Sequence, residues 1–304
     1  MEFATLLEKM IVFVALMVVG YICARRGVVN ENYTKITSNL VINVFMFATI
    51  LSSAMDMDTT LGFGELALSF VALTLTIVFC FVVAFVAVRL FRIEQEHAAQ
   101  FELLAAVSNT MFIGVPVAQG ILGPLSVFYI SLSNIAFNFM LYSYGIWLLS
   151  GGKTGIRIKE LLSMPMVASV LALLIFLIKP PVPGAVRNIV SALSGATLPL
   201  SMLVIGSSLG GGKLLSAFRN RQLYRMSFVR LILTPLLLGL LARLLISDQV
   251  LRMTCIILAA CPSGVIISVL SIQYDRDYVF ASEGVLQSTA LSMLTIPLVL
   301  YLFL

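Results

Sequence analysis

The sequence predicts an all-α polytopic membrane protein: ten transmembrane helices arranged as two inverted five-helix repeats. Three observations carry this. Of 304 residues, 60% are hydrophobic and only 11% charged, with a mean hydropathy of +1.07. A soluble domain has roughly 25% charged residues and is under half apolar. Ten apolar stretches can be marked along the chain, each near the roughly 20 residues a spanning helix needs. The 19 Lys and Arg sort unevenly between the connections. The same composition excludes a soluble enzyme, a nucleic-acid module and a disordered regulator. The expected surroundings are a lipid bilayer, with no nucleic-acid partner.

In order, the stretches are Thr5–Ala24, Thr34–Ala54, Glu65–Leu90, Ala98–Gly120, Leu125–Leu149, Ile158–Ile178, Val186–Leu209, Leu223–Ile246, Leu251–Ile272 and Tyr278–Leu304. The start, Met1 to Lys9, carries Glu2 and Glu8 and lacks a basic n-region, so the first stretch reads as a retained span rather than a cleaved signal. All are about twice the length of barrel strands and lack their alternation. Runs such as Leu236–Leu237–Leu238 are apolar on every side, as lipid-embedded helices are.

Threading the ten spans puts fourteen basic residues on one side, including Arg25, Arg26, Arg89, Arg92, Lys153, Arg157, Lys159, Lys213, Arg219, Arg221, Arg225 and Arg230. Five fall on the other: Lys9, Lys179, Arg187, Arg243 and Arg252. The positive-inside rule then places both termini on the non-cytoplasmic side of the cytoplasmic membrane. The acidic link carrying Asp56, Asp58 and Glu65 falls on the outer side. Near the midpoint, Gly151–Gly152–Lys153–Thr154–Gly155 divides the chain into repeats 1–150 and 151–304. Five helices is an odd number, so homologous halves insert with opposite topology, a property of secondary transporters.

The fourth and ninth stretches carry the signals of broken helices. In the fourth, Asn109 and Thr110 lie halfway along, followed by Gly114 and Pro116. Proline lacks a backbone donor and clashes with the preceding turn, and glycine permits unusual angles, so a break is expected around Gly114 and Pro116. The ninth reads Cys261–Pro262–Ser263–Gly264–Val265 and predicts a break at its centre. Unwound backbone at membrane depth is tolerated where it lines a cavity. Half-helix N-termini there present free N–H groups and a partial positive charge, which suits a carboxylate. No Lys or Arg is expected at the centre of a span. Arg230, about two turns into the eighth, is expected to snorkel to the cytoplasmic face.

These residues carry a family resemblance. Asn109–Thr110, Ile113–Gly114–Val115–Pro116, Gly120 and Gly123 resemble the fourth-helix signature of the auxin efflux carrier family. Cys261–Pro262–Ser263–Gly264–Val265 with Tyr274–Asp275 resembles its ninth helix. Ser288–Thr289 with Thr295–Ile296–Pro297–Leu298 resembles the tenth, and Leu198–Pro199–Leu200 with Ile205–Gly206 the seventh. The likeness is to the bacterial or archaeal branch, linked to malate, malonate and related acids and related to the plant PIN exporters of indole-3-acetate. It implies helices 4 and 9 crossing at their breaks, a scaffold of helices 1, 2, 6 and 7, often dimerising, and a transport domain of helices 3–5 and 8–10 that moves as an elevator. It implies that Asn109, Thr110, Gly114, Pro116, Pro262, Ser263 and Gly264 build the site for a small organic anion. The chain departs from the plant pattern at Ser108, where plant carriers have proline, at Gln119, where they have lysine, at Ile267, and in its short midpoint link.

Asn43 in the second stretch is expected to face that site from the scaffold. Asn138, one turn from Asn134 in the fifth, either lines the substrate path or bonds a neighbouring helix. Glu283 carries a coupling proton or pairs with Arg276. His97 and Glu102 open the fourth stretch, with the histidine read as solvated. Asp277 fits an N-cap for the tenth helix. Trp147 and Tyr144 read as interfacial anchors. Four scattered cysteines and one histidine give neither a disulfide framework nor a zinc site, and no phosphate-binding loop or nucleophile elbow occurs, so neither a cofactor nor an enzyme is expected. The resulting expectation is a secondary transporter of an organic carboxylate, working as an exporter; uniport, proton coupling and sodium coupling all fit. The alternative is a sodium-coupled organic anion symporter of the bile-acid type, with a sodium site of side-chain oxygens and freed carbonyls at the breaks.

Overall fold

The computed structural model describes residues 3–55, 61–154, 163–211 and 214–303. Glu2, Asp56, Asp58, Gly155, Arg157, Lys159, Lys213 and the Ile158–Leu162 start of the sixth stretch, all used above, lie outside the described residues. Thirteen helices follow in the described residues: α1 Phe3–Arg25, α2 Glu31–Met55, α3 Phe63–Leu90, α4 Gln95–Ala106, α5 Thr110–Leu122, α6 Pro124–Leu149, α7 Met164–Ile178, α8 Gly184–Gly211, α9 Leu214–Ala217, α10 Arg221–Leu245, α11 Gln249–Ala260, α12 Ile266–Gln273 and α13 Tyr278–Phe303. By length and composition α2, α3, α6, α8, α10 and α13 can each cross a membrane, and α5, α7 and α11 are shorter apolar helices. The fourth apolar stretch is two helices, α4 and α5, and the ninth is likewise α11 and α12.

Helix starts follow local chemistry. Asn30, Asn220 and Asp248 cap α2, α10 and α11 by accepting from Tyr33, Gln222 and Leu251 N–H groups at 2.9, 2.9 and 2.6 Å. Asp277 caps α13 as expected, accepting from Phe280 N–H at 3.0 Å. His97 is not a solvated loop residue. Its ring stacks on Phe280 at 4.3 Å and its Nε2 lies 3.2 Å from Asp277. Burial alone would raise the Asp277 carboxyl, but the Phe280 N–H, the His97 ring and the Val279 N–H outweigh it and hold it below the usual carboxylate range. A carboxyl lowered on folding stabilises above its unfolded range and loses that contribution as pH falls through the folded one, so the cap is intact at neutral pH.

The chain forms two compact units. The first gathers Met1–Leu73, Met111–Ala136 and Leu161–Gly211. Its spine is α1 against α8, where small residues let backbones touch, the usual way helices associate without a hydrophobic drive in lipid. A methyl added at Gly206 would strike the Met17 carbonyl, and one at Gly20 the Leu203 carbonyl. Hydroxyls join α2 to α8: Thr49 and Thr197 share a 2.6 Å hydrogen bond, and Thr34 donates to Ser207 at 3.2 Å.

The second unit gathers Thr74–Thr110, Phe137–Glu160 and Gly212–Leu304. Its apolar core includes Phe101, Leu103 and Leu104 of α4, Leu223, Met226 and Val229 of α10, and Phe280 and Ala281 of α13. Gly284 of α13 is held close, since an added methyl would lie 2.7 Å from Leu104 Cδ1.

Wide π-type turns interrupt α2 at Val41–Met46, open α5 at Thr110–Gly114, and interrupt α6 at Leu141–Gly145 and α10 at Val229–Leu233. In α5 and α10 a proline, Pro116 or Pro235, follows in the next turn. A proline ring clashes with the carbonyl four residues back, here Phe112 or Leu231, and a widened turn gives it room. This corrects the expected position of the first break. Pro116 is absorbed by the π turn, Gly114 has ordinary helical angles (φ −59, ψ −53), and the helix is interrupted upstream at Val107–Asn109.

The α1–α8 contact yields a paired prediction. Gly206→Ala should destabilise by about 1–3 kcal/mol, the cost of forcing atoms into a packed site. Gly195→Ala, on an open face of the same helix with nothing within 4 Å of the added methyl, should be neutral or stabilise by up to about 1 kcal/mol. Thermal unfolding in detergent measures both.

Candidate functional site

The second unit contains the two breaks of the fourth and ninth stretches. After Ala106 come Val107, Ser108 and Asn109, a β-branched residue and two side chains that compete for backbone hydrogen bonds, all weak helix formers. Val107 is extended (φ −87, ψ 116). In the other break Cys261 is extended (φ −61, ψ 144), as a residue before proline prefers. The two segments pair as a single antiparallel bridge, Ser108 with Ser263. Asn109 N–H donates to the Pro262 carbonyl and Gly264 N–H to the Val107 carbonyl, both at 2.8 Å. Gly264 is required by this closeness: a methyl there would lie 3.2 Å from the Ser108 carbonyl oxygen and from Val107 Cγ1.

A helix that ends inside a protein leaves its last carbonyls without partners. Here the hydroxyls of the bridge serve some of them reciprocally. Ser108 Oγ donates to Leu258 O and Ser263 Oγ to Leu104 O, each at 2.7 Å. Ser263 N–H donates to Ser288 Oγ at 3.2 Å.

Arg230 meets further carbonyls at both breaks. Its Nε donates to Cys261 O at 2.7 Å, its Nη1 to Ala106 O at 3.1 Å and Ala105 O at 3.3 Å, and its Nη2 to Leu258 O at 2.9 Å and to Ser108 Oγ. A guanidinium has five N–H donors, and all are used. Arg230 is 0% exposed, so the expectation that it snorkels to the surface is wrong. The π turn Val229–Leu233 contains it, and one inserted residue rotates the following face by about 100°. Among the described residues the single ion pair is His97–Asp277, so no carboxylate neutralises this cation. It sits instead at the negative ends of α4 and α11, where a positive charge is favoured. Cys80 of α3 lies against the same guanidinium.

Around this centre the polar groups are mostly engaged. Gln287 is fully buried, accepting from Ser227 at 2.9 Å and donating to Ala217 O at 3.0 Å. Glu102, near the start of the fourth stretch, is 4% exposed and accepts from Tyr144 Oη at 2.5 Å. The Tyr144 hydroxyl thus points to a carboxyl rather than serving as a surface anchor, while Trp147 is exposed. Glu283 is half-buried, and Arg276 donates to Leu149 O at 2.7 Å. The Asn109 side chain differs: it is 7% exposed and makes no hydrogen bond to any described residue.

The sequence matches the membrane transport protein family over residues 5–161 and 153–300. The chain belongs to this family of auxin efflux carrier-type transporters. It is similar to an uncharacterized transporter of Methanothermobacter thermautotrophicus, 27% identical over 293 residues and 96% of each chain. It is also similar to an uncharacterized transporter of Methanocaldococcus jannaschii, 23% identical over 303 residues, 96% of this chain and 97% of the relative. The protein is therefore a multi-pass membrane transporter.

Within this transporter the residues expected at the site divide. Asn109, Thr110, Pro262, Ser263 and Gly264 lie at the paired breaks of the second unit, and Thr110 is 3% exposed. Asn138 belongs to the same unit and is buried with a partner. Asn43, Gly114 and Pro116 belong to the first unit, with Asn43 exposed in its π turn. Ser108 and Arg230 are the residues that sequence reasoning undervalued. The Ser108–Asn109 pair in an apolar run is a helix-start signal, and it locates the true break.

Ser263→Ala leaves the Leu104 carbonyl without its donor. It should cost about 1–3 kcal/mol, the penalty for an unsatisfied buried group, against roughly 0.5 kcal/mol or less for Ser282→Ala, a surface substitution. Thermal unfolding of the two variants side by side checks the contrast.

Proposed function

We propose that this transporter is a secondary carrier that moves an organic carboxylate anion, an auxin-like or mono- or dicarboxylic acid, outward across the cytoplasmic membrane. The observation that carries the reading is the Asn109 amide: nearly buried, unpartnered among the described residues, and next in sequence to Ser108, which contacts an uncompensated guanidinium. An amide offers N–H donors to a carboxylate. The chain turns helical again at Thr110, so the positive end of α5 begins at the same place. The charge of Arg230 adds to this field without its donors being free. Together these features favour an anion that gives up its water to bind.

In this reading the breaks form the crossing of the fourth and ninth stretches, and stretches three to five and eight to ten carry the site as an elevator against a scaffold of stretches one, two, six and seven. The scaffold also forms a homodimer. Both termini face away from the cytoplasm, from the positive-inside rule. Outward movement of an anion is helped by an inside-negative potential, worth about 2.3 kcal/mol per charge per 100 mV.

Purified protein in liposomes should conduct at least one of malate, malonate, lactate and indole-3-acetate. Asn109→Ala should keep the fold and weaken binding about tenfold, as expected for loss of a hydrogen bond to a charged group. Flux assays and calorimetry measure these outcomes. Absence of flux and binding for every acid contradicts the reading, and unchanged affinity removes Asn109 from the site.

A further inference from the structure

Freed carbonyls at the C-terminal ends of broken helices are where membrane carriers coordinate a coupling sodium ion or proton. In this protein that oxygen set is identifiable. The carbonyls of Ala105, Ala106, Leu258 and Cys261 and the hydroxyl of Ser108 surround one buried position. They are neutral oxygens only, the kind of donor a hard cation takes, and they stand at the negative ends of two helices. The group that fills the position is the Arg230 guanidinium, bonded to all five.

We infer that Arg230 is a resident cation, covalently tethered where an exchangeable alkali ion would otherwise bind, and that the carrier therefore works without sodium. The inference rests on the carrier reading above and extends it to energy coupling. An alkali ion would have to displace five charge-assisted hydrogen bonds from a group that cannot leave. A guanidinium is also a permanent charge, so the breaks keep their positive field whether or not substrate is bound. Arg230 is a positioning residue: it holds the breaks and sets the field beside Asn109, and its donors do not reach the substrate. No proton or electron changes place in this step, only the identity of the cation.

The test compares wild type with Arg230→Ala, in which the five oxygens are left around an empty position. Wild-type carboxylate flux in liposomes should be the same in sodium and in choline, and sodium should not raise its melting temperature beyond choline. The variant should melt earlier and bind the carboxylate about tenfold more weakly, the scale of a charge at a partly buried helix end. Guanidinium chloride at about 20 mM, far below the molar range that unfolds proteins, should raise the variant's melting temperature and restore binding, with no such effect on wild type. Arg230→Lys keeps a charge with three donors and serves if the alanine variant does not fold. It should be less stable than wild type and equally indifferent to sodium. Sodium-dependent flux or sodium-specific stabilisation of wild type overturns the inference. So does an alanine variant of unchanged stability and affinity, or one that guanidinium does not rescue. The melting experiments read the resident cation even if no tested acid is transported, so failure of the carrier reading is distinguishable from failure of this one.

Discussion

Ending a helix inside a protein leaves carbonyl oxygens that no surrounding water can satisfy, and among the described residues α4 and α11 both end at the paired breaks. The rest of the second unit follows from how those oxygens are served. One guanidinium takes acceptors from the ends of both α4 and α11, and two serine hydroxyls cross from each break to the other helix. A backbone bridge closes the set. Removing a water shell from a charge costs several kcal/mol, so Arg230 is tolerable only because every N–H finds an oxygen. The breaks in turn are tolerable only because Arg230 is there. Cation and breaks are one structural element.

The geometry that delivers the cation is itself a response to a constraint. Pro235 cannot sit in a regular helix without a clash at Leu231, and the π turn Val229–Leu233 relieves it. The same device accommodates Pro116 in α5. In the first unit stability comes from another source: Gly20 and Gly206 let α1 and α8 approach until main chain meets main chain.

Apolar length was readable because a bilayer imposes it on a span, and six of the described helices are long and apolar enough to cross one. The ninth-stretch break was readable too, since Pro262, Ser263 and Gly264 each disfavour a helix in their own way. The fourth-stretch break was misplaced because proline is the louder signal: Pro116 drew attention from Ser108 and Asn109, whose effect depends on partners far along the chain. Arg230 was misread for a related reason. Two turns from a helix end, an arginine can reach the surface or turn inward, and the choice depends on a one-residue insertion that periodicity does not reveal. The pairing of Glu102 with Tyr144, forty-two positions away, is likewise outside what periodicity reveals.

If Arg230 holds the two breaks as one element, loosening it must loosen both together. Backbone hydrogen exchange of the segments 105–110 and 260–266, compared between wild type and Arg230→Lys in the same detergent, tests this most directly. The account predicts that both segments lose protection in parallel while 197–210 of α8 does not change. Wild-type protection in both segments, or loss confined to one, would contradict it.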